Sequence, residues 1–303
     1  MARSVAGATV AIVGAGAVGQ SVGRLLAQAG FRVCGVASRT LASARRGVAF
    51  IGQGRAVHSP AKAAAGAEVV LIATPDTAIR DVCDGMAAAG AFASGMKVFH
   101  FSGALGAAEL ASARDAGAAV AALHPLQSIP SPGEGIRRLP GTVFSFEGDP
   151  GAKTMAKRMV KALGGEMIEI PGSAKALYHA ACCVLSNYAV AVADLGLAML
   201  LRALGEAGAQ PEEALAAAMP LMRGTLDNIA KLGPVAALTG PIARGDASTV
   251  TRHLAAMDGL PPRMIRLYRE LGMLTLDLAQ RKRRMAPSEV DKLRKALAKG
   301  KKG

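Results

Sequence analysis

The sequence predicts an α/β protein, with a doubly wound, mostly parallel sheet followed by an all-helical domain. Short apolar runs rich in β-branched residues alternate with helical patterns up to about residue 170. Beyond Pro171 the chain shows helical periodicity and no convincing strand pattern. We therefore expect a first domain over 1–170, a second over 171–285, and a basic tail over 286–303.

The first unit of the predicted sheet is strand, glycine turn and helix. The apolar run Thr9–Val13 precedes a G-x-G-x-x-G pattern, and a helical pattern follows it. In this pattern the glycines form a tight turn, let the backbone approach a pyrophosphate, and bring the helix close to the strand. The alternative is an ordinary glycine-rich turn. The predicted cofactor-binding residues here are Gly14, Ala15, Gly16, Ala17, Val18 and Gly19.

The end of the second predicted strand, Arg32–Ala37, indicates which dinucleotide is bound. An NAD-binding unit usually has Asp or Glu there, to bind the ribose 2′-hydroxyl. This chain has Ser38, Arg39 and Thr40 instead. A guanidinium and two hydroxyls suit a 2′-phosphate, which predicts NADP(H). The alternative for Arg39 is a solvated residue that opens the next helix.

The following segments continue the alternation and place polar residues at strand ends. The predicted strands after residue 60 are Glu68–Ala73, Lys97–His100, Ala118–Leu123, Thr142–Glu147 and Glu166–Ile170. The predicted helices of this domain are 41–50, 60–65, a helix to about Ala89 capped by Asp76 or Thr77, 107–116 and 150–163; residues 129–140 are predicted as a loop. Open α/β sheets bind ligands at the carboxyl ends of their strands. We therefore expect Thr74, Pro75, Asp76, Ser102 and His124 to face the cofactor.

The region after Gly172 is predicted as a long helix from Ser173 to about Leu204, followed by shorter ones. These shorter helices are 211–231, 247–257 and 261–283, with a loop over 232–246. On the long helix, Lys175, His179, Cys182 and Ser186 share one stripe. A lysine there can protonate the oxygen that becomes an alkoxide when hydride arrives. The alternative is a surface lysine at a helix start.

The remaining candidate catalytic residues, except Asn187, each have a structural alternative. His179 binds substrate, orients Lys175, or is a core histidine. His124 and Ser102 bind substrate or serve as strand-ending turns. Asn187 is expected to position substrate from the neighbouring stripe. Arg244 pairs with a substrate carboxylate, or its loop is a structural turn in which Asp246 caps the next helix.

Composition and charge argue against other classes of function. Of the net charge of +14, +8 lies in residues 281–303 without interleaved aromatics, so we expect no nucleic-acid partner and a frayed, solvated tail. The four cysteines lack metal-ligand spacing, which predicts a reducing compartment and no metal. The apolar stretch 176–205 contains His179, Asn187 and Asp194, and an Asp at mid-span costs about 2.5–3.5 kcal/mol on insertion scales. We therefore expect a buried helix, no membrane span and a cytoplasmic protein.

The order of these segments resembles predicted oxidoreductases that join a Rossmann-like domain to a helical domain of unknown function, DUF2520. The resemblance covers the chain to about residue 280, and its pieces are GAGAVG, SRT, ATPD, FHFSGALG, LHPLQS, KALYHAA, SNYAVAVAD, TLDNI and LTGPIARGD. The architecture is also similar to the 6-phosphogluconate dehydrogenase-like group, which includes ketopantoate and pyrroline-5-carboxylate reductases. In the β-hydroxyacid enzymes of that group a catalytic Lys is followed four residues on by Asn. Lys175 matches that Lys, and His179 stands in place of the Asn.

The residues and the resemblance together predict an NADPH-dependent oxidoreductase. Its expected substrate is a small carboxylate-bearing carbonyl compound, such as a ketopantoate-like 2-oxo acid, bound between the domains. The resemblance also implies a homodimer formed through the helical domain. Two alternatives stay open: a cyclic-imine reductase of the pyrroline-5-carboxylate type, and a non-catalytic protein that senses NADP(H) or binds a partner.

Overall fold

The structure is a computed structural model that describes residues 7–205, 208 and 210–298. The chain divides into two compact units, Met1–Tyr188 and Ala189–Gly303, each with its own arrangement of elements. The first unit is the α/β part and also contains the start of the helical region. The regular elements of the second unit, within its described residues, are all helices.

An eight-stranded sheet forms the centre of the first unit, in the order β3-β2-β1-β4-β5-β6-β7-β8. Its strands are β1 (Thr9–Val13), β2 (Arg32–Ala37), β3 (Arg55–Val57), β4 (Val69–Ile72), β5 (Lys97–His100), β6 (Ala119–Pro125), β7 (Val143–Gly148) and β8 (Glu166–Glu169). All neighbours pair in parallel except β6 and β7, which are antiparallel. This confirms the predicted doubly wound, mostly parallel sheet.

Seven helices accompany these strands in the described chain before the helical region. They are α1 (Ala17–Gln28), α2 (Leu41–Ile51), α3 (Pro60–Ala64), α4 (Ile79–Ala88), α5 (Ala111–Asp115), α6 (Pro132–Arg138) and α7 (Pro150–Ala162). Two clusters of buried apolar side chains hold the unit together, and β-branched strand residues such as Ile12 and Val70 take part in them. Burying strands on both faces explains why their sequences are continuous apolar runs.

The strand order places a ligand-binding crevice beside β1. Consecutive strands run from β1 toward β3 on one side, and from β4 onward on the other. Such a reversal opens a crevice at the carboxyl ends of the two central strands, here β1 and β4. The glycine turn after Val13 and the Thr74 segment after β4 therefore lie at the position where doubly wound sheets bind ligands.

Two local predictions for this unit are wrong. The segment 129–140, predicted as a loop, contains α6, because Ser131 caps it by accepting a hydrogen bond from the Glu134 N–H at 3.2 Å and Pro132 opens it. Neither Asp76 nor Thr77 caps the helix after β4. A short 3₁₀ turn, Asp76–Ala78, precedes α4 instead, and the Asp76 carboxylate binds Ser102.

The long helix predicted from Ser173 to Leu204 is interrupted. A 3₁₀ turn over Gly172–Ala174 leads into α8 (Lys175–Leu185), and α9 (Asn187–Leu204) begins after a break at Ser186. This stretch is the one part of the described chain that is long and apolar enough to cross a membrane, a test that core helices also pass. Only 6% of the apolar window within this stretch is buried in the single chain. The prediction of a buried helix is therefore wrong for the single chain.

The second unit packs its last helices around a small apolar core. Its helices after α9 are α10 (Pro211–Ala237), α11 (Pro241–Arg244), α12 (Ala247–Ala256), α13 (Pro262–Lys282) and α14 (Pro287–Ala298). Within α10, Gly233 has φ +74° and breaks the helical geometry. Part of the predicted frayed tail is helical instead, because Val290, Leu293 and Leu297 recur at helical spacing and are buried in this core. Residues 299–303 lie outside the described residues.

Candidate active site

The glycine turn has the steric requirements of a phosphate-binding loop. Gly14 has φ +110°, and a Cβ there would lie 2.4 Å from the carbonyl oxygen of Ala73. A Cβ on Gly19 would lie 2.1 Å from the carbonyl oxygen of Gly14, so this glycine allows α1 to pack against the turn. Gly16 is exposed, and a Cβ on it would meet no atom within 4 Å. The turn is thus tight where it faces the protein and open at Gly16.

The N-terminus of α1 is available to an anion. Gly16 is its N-cap and contributes no side chain, and Ala17 and Val18 are the first residues of the helix. The first N–H groups of a helix have no partners within it and carry a partial positive charge. Close by, the Thr74 Oγ1 is buried and has no hydrogen-bond partner among the described residues. An open cradle and an unpaired hydroxyl at one place fit a bound dinucleotide.

The predicted 2′-phosphate residues lie together after β2. Ser38 is half-buried, and Arg39 and Thr40 are exposed. The Thr40 hydroxyl is the N-cap of α2, where it accepts a hydrogen bond from the Ser43 N–H at 3.1 Å. The Thr40 hydroxyl is thus engaged within the protein. Arg39 is the charged residue among the three.

The Ser102–Gly103 segment after β5 is held by several hydrogen bonds. The Ser102 hydroxyl donates to Asp76 Oδ2 at 2.7 Å and accepts from the backbone N–H groups of Ala104 and Leu105. The Ser102 N–H donates to His100 Nδ1 at 3.1 Å. Ser102 is therefore fixed, and its hydroxyl holds the loop rather than remaining free for a ligand.

His100 is a structural histidine whose tautomer follows from its partners. Its Nδ1 accepts from Ser102, and its Nε2 lies 3.0 Å from the carbonyl oxygen of Gly106. A carbonyl can only accept, so the proton is on Nε2. Burial is the main cause that lowers the pKa of His100, and the ring is neutral in this arrangement.

Lys175 reaches the Ser102 segment from the first turn of α8. The residue is only 3% exposed, and its Nζ donates a hydrogen bond to the carbonyl oxygen of Ser102 at 3.0 Å. Burial lowers the pKa of Lys175, and the carboxylates of Glu147 and Asp76 partly oppose that effect. A buried ammonium with a lowered pKa and one neutral partner is chemically suited to donating a proton.

His124 and Tyr178 form a pair next to Lys175. His124 Nδ1 lies 2.8 Å from the Tyr178 hydroxyl, with the two rings edge to face. Burial, followed by the charges of Lys175 and His179, lowers the pKa of His124 to about 4. Burial raises the pKa of Tyr178 to about 12. Both side chains are therefore neutral at pH 7.

A cavity of about 400 Å³ opens beside these residues. His124 and His179 line one part of it, and their ring centroids are 6.2 Å apart. The other lining residues are Leu126, Gln127, Ser128, Cys182, Cys183, Leu185, Ser186 and Asn187. Three members of the predicted stripe, His179, Cys182 and Ser186, thus line this cavity, whereas Lys175 is buried against Ser102.

Two further predicted site residues are exposed. Arg244 is an exposed residue at the end of α11 in the second unit. Pro75 is exposed in the segment between β4 and the 3₁₀ turn. Sequence reasoning assigned no role to Tyr178 and His100. The signal for Tyr178 was its place three residues after Lys175, on the same side of a helix.

Comparisons with known proteins agree with this architecture. Residues 3–125 match the model of a Rossmann-like domain, and residues 142–275 match that of a domain of unknown function, DUF2520. A comparison with curated protein sequences gives no match.

Three solved structures illustrate the similarity. A protein of Thermotoga maritima is 26% identical, with a TM-score of 0.69 over 91% of this chain and 100% of its own. A proposed NADP oxidoreductase of Bacteroides fragilis is 19% identical, with a TM-score of 0.68 over 90% of this chain and 100% of its own. A reductive aminase of Aspergillus terreus, in complex with NADPH and ethyl-5-oxohexanoate, is 15% identical, with a TM-score of 0.55 over 96% and 92%. The chain thus matches a Rossmann-like model in its first part and the DUF2520 model in its second, in the order that its sequence motifs predicted.

Proposed function

We propose that the protein is an NADPH-dependent reductase of a small carbonyl compound, with Lys175 as the proton donor. The observation that carries the proposal is the buried Lys175 ammonium at the carbonyl oxygen of Ser102, at the carboxyl end of β5. Burying a charged side chain costs stability, so a protein seldom keeps one without a use for it. Buried lysines with lowered pKa values are accordingly typical of active sites.

The glycine turn and the segment after β2 are the proposed cofactor site. The N–H groups at Gly16, Ala17 and Val18 would bind the pyrophosphate, and Thr74 would donate its unpaired hydroxyl. Arg39 would pair with the 2′-phosphate, with Ser38 beside it. The NADPH-bound reductase named above supports the choice of a nicotinamide cofactor.

Lys175 would complete the reduction. When bound, a reduced nicotinamide supplies a hydride to the carbonyl carbon, and the oxygen then takes a proton. The Lys175 ammonium gives this proton and becomes a neutral amine, which regains a proton from solvent. The lowered pKa of Lys175 makes it a stronger acid than a free lysine, which favours proton transfer to the developing alkoxide.

The cavity favours a carbonyl compound over a preformed iminium ion. No carboxylate side chain is among its lining residues in the described part of the chain. A cationic iminium would therefore lie near the Lys175 ammonium, and the carboxylates of Glu147 and Asp76 that act on Lys175 are not among the residues that line the cavity. The side chains of Gln127, Ser128 and Asn187 can donate hydrogen bonds to a substrate carboxylate, which supports a 2-oxo acid, and Arg244 remains a predicted contact.

A substrate panel tests the proposal. Branched 2-oxo acids and cyclic imines are incubated with NADPH or NADH, and the loss of reduced cofactor is followed by its absorbance. We expect turnover of a 2-oxo acid with NADPH, and Lys175→Ala should lower kcat on the order of 10²- to 10⁴-fold with nearly unchanged NADPH affinity. The control is Lys157→Ala, an exposed lysine on α7.

Three outcomes contradict parts of the proposal. NADPH binding without turnover across the panel would favour a sensor of NADP(H). Reduction of cyclic imines alone would favour the imine reductase. An unchanged preference for NADPH over NADH in Arg39→Ala would contradict the assignment of the 2′-phosphate site.

We also infer a homodimer, formed in a reducing compartment such as the cytoplasm. Large apolar side chains of the second unit are exposed in the single chain, among them Val190, Leu221 and Leu226, at 70%, 75% and 64%. Exposed apolar surface of this extent is typical of an interface. All four cysteines are free thiols.

A further inference from the structure

The hydrogen bond between Tyr178 and His124 determines which nitrogen of the imidazole carries the proton. A phenol is a better hydrogen-bond donor than a neutral imidazole N–H, and an imidazole nitrogen is a better acceptor than a phenol oxygen. With Tyr178 Oη 2.8 Å from His124 Nδ1, the favoured bond is therefore O–H to Nδ1. The proton of the neutral imidazole is then on Nε2.

The second ring nitrogen of His124 lies against the Ser102–Gly103 segment. A Cβ on Gly103 would lie 2.9 Å from His124 Nε2 and 2.5 Å from His179 Cδ2, so Nε2 lies against the Ser102–Gly103 segment that Lys175 also contacts. Nε2 has no hydrogen-bond partner among residues 7–205, 208 and 210–298. His124 also lines the cavity, and a donor without a protein acceptor at such a place is available to a ligand.

The surroundings keep this imidazole neutral. The titratable groups around it are Lys175, Tyr178 and His179 on α8, His100 on β5, and Asp76 after β4. Lys175 and His179 oppose a positive charge on His124, and the single carboxylate of Asp76 does not outweigh them together with burial.

We propose that Tyr178 holds His124 as its neutral Nε2–H tautomer, and that this N–H donates a hydrogen bond to the carbonyl oxygen of the substrate. The inference rests on the proposed carbonyl reductase and assigns separate tasks to two neighbours. Lys175 transfers the proton, whereas His124 stabilises the negative charge that develops on the oxygen and keeps its own proton. Tyr178 is a positioning residue that acts through His124.

The tautomer is tested by NMR without any substrate. Histidine-¹⁵N-labelled protein is studied by long-range ¹H–¹⁵N correlation between about pH 5 and 8, the range in which free histidine titrates. The His124 signals are assigned by their loss in His124→Gln. We expect the neutral Nε2–H pattern across this range, and a mixture of tautomers in Tyr178→Phe. An Nδ1–H pattern, or protonation of His124 near pH 6.5, would overturn the inference.

Kinetics with a substrate found in the panel test the role of the donor. His124→Ala should lower kcat on the order of 10²-fold, as loss of one oxyanion donor does, and His124→Gln, which keeps an N–H donor, should retain more activity. The matched control is Tyr268→Phe, because Tyr268 makes the same 2.8 Å contact with His253 in the second unit. Wild-type kcat in His124→Ala would overturn this inference and leave the reductase proposal intact. Absence of turnover in the whole panel would reject the reductase proposal, and with it the role of the donor, while the NMR result on the tautomer would stand.

Discussion

At the scale of single residues, burial of the Lys175 ammonium lowers the stability of the fold and suits the residue to its proposed role as proton donor. Its ammonium is buried, and the carbonyl of Ser102 and the charges of Glu147 and Asp76 compensate the lost hydration only in part, since its pKa is lowered overall. Residues that serve catalysis often destabilise the fold that holds them. This conflict gives a test of function that needs no substrate.

Replacing Lys175 with methionine should raise stability at neutral pH. Methionine has a similar length and no charge to desolvate, so we expect a gain of about 1 kcal/mol in the free energy of unfolding. The gain should shrink as pH rises toward 10.5, where the lysine becomes neutral in the unfolded chain as well. Urea unfolding at several pH values measures it, with Lys157→Met as the exposed control. Equal or lower stability of Lys175→Met at pH 7 would contradict this account.

At the scale of elements, the glycines of the turn between β1 and α1 have different roles: one is required by the fold and another is available for binding. Gly14 is required by its positive φ and by the nearby Ala73 backbone, whereas Gly16 faces open space. The fold thus requires Gly14 but not Gly16. A glycine at position 16 is explained if a ligand, such as the pyrophosphate of a dinucleotide, approaches the backbone there.

A methyl group at Gly16 should therefore affect the cofactor alone. We expect Gly16→Ala to unfold at about the wild-type temperature and to bind NADPH at least tenfold more weakly, because its Cβ points where the phosphates would lie. Calorimetric titration and thermal unfolding measure the two effects. Gly85→Ala, an equally unobstructed glycine in α4, is the control, and NADPH affinity like that of wild type in Gly16→Ala would contradict the site.

The element predictions were most accurate where the signal is local. Strands β1 and β2 were predicted with their observed bounds, because each is a contiguous apolar run next to a turn. The three-residue β3 is too short to show a pattern and was not predicted. Helices α6 and α14 were also missed: the glycines and prolines of the first suggested a loop, and the basic charges of the second obscured its apolar spacing.

At the scale of the whole molecule, acid should destabilise the fold through its neutral histidines. The pKa values of His100 and His124 are lowered from 6.5, that of His124 to about 4. Below pH 6.5 the unfolded chain binds these protons and the folded chain does not, so stability falls as pH falls through this range. Unfolding at pH 7 and 5 measures the loss, and we expect His124→Gln to reduce it. The same loss in that variant would contradict the assignment to His124.

The exposed apolar helices give a second prediction at this scale. If they form the proposed dimer interface, Leu221→Glu should shift the protein toward monomer, because a buried, unpaired carboxylate is costly. Light scattering over a concentration series measures the effect. The control Gln280→Glu adds the same charge at another exposed position. A monomeric wild type, or a mutant dimer as stable as wild type, would contradict the interface.

The sequence by itself determined the sheet class, the glycine turn and the segment after β2, since each depends on residues adjacent in the chain. It also indicated Lys175, through helical spacing and the resemblance. Only the tertiary structure showed that Ser102 is bound to Asp76, 26 residues away, and that Tyr178 contacts His124, 54 residues away. The physical reason is that partners on different elements meet through strand order and helix packing, which leave no periodic trace in the sequence. Those contacts fix the protonation states on which the proposed chemistry depends.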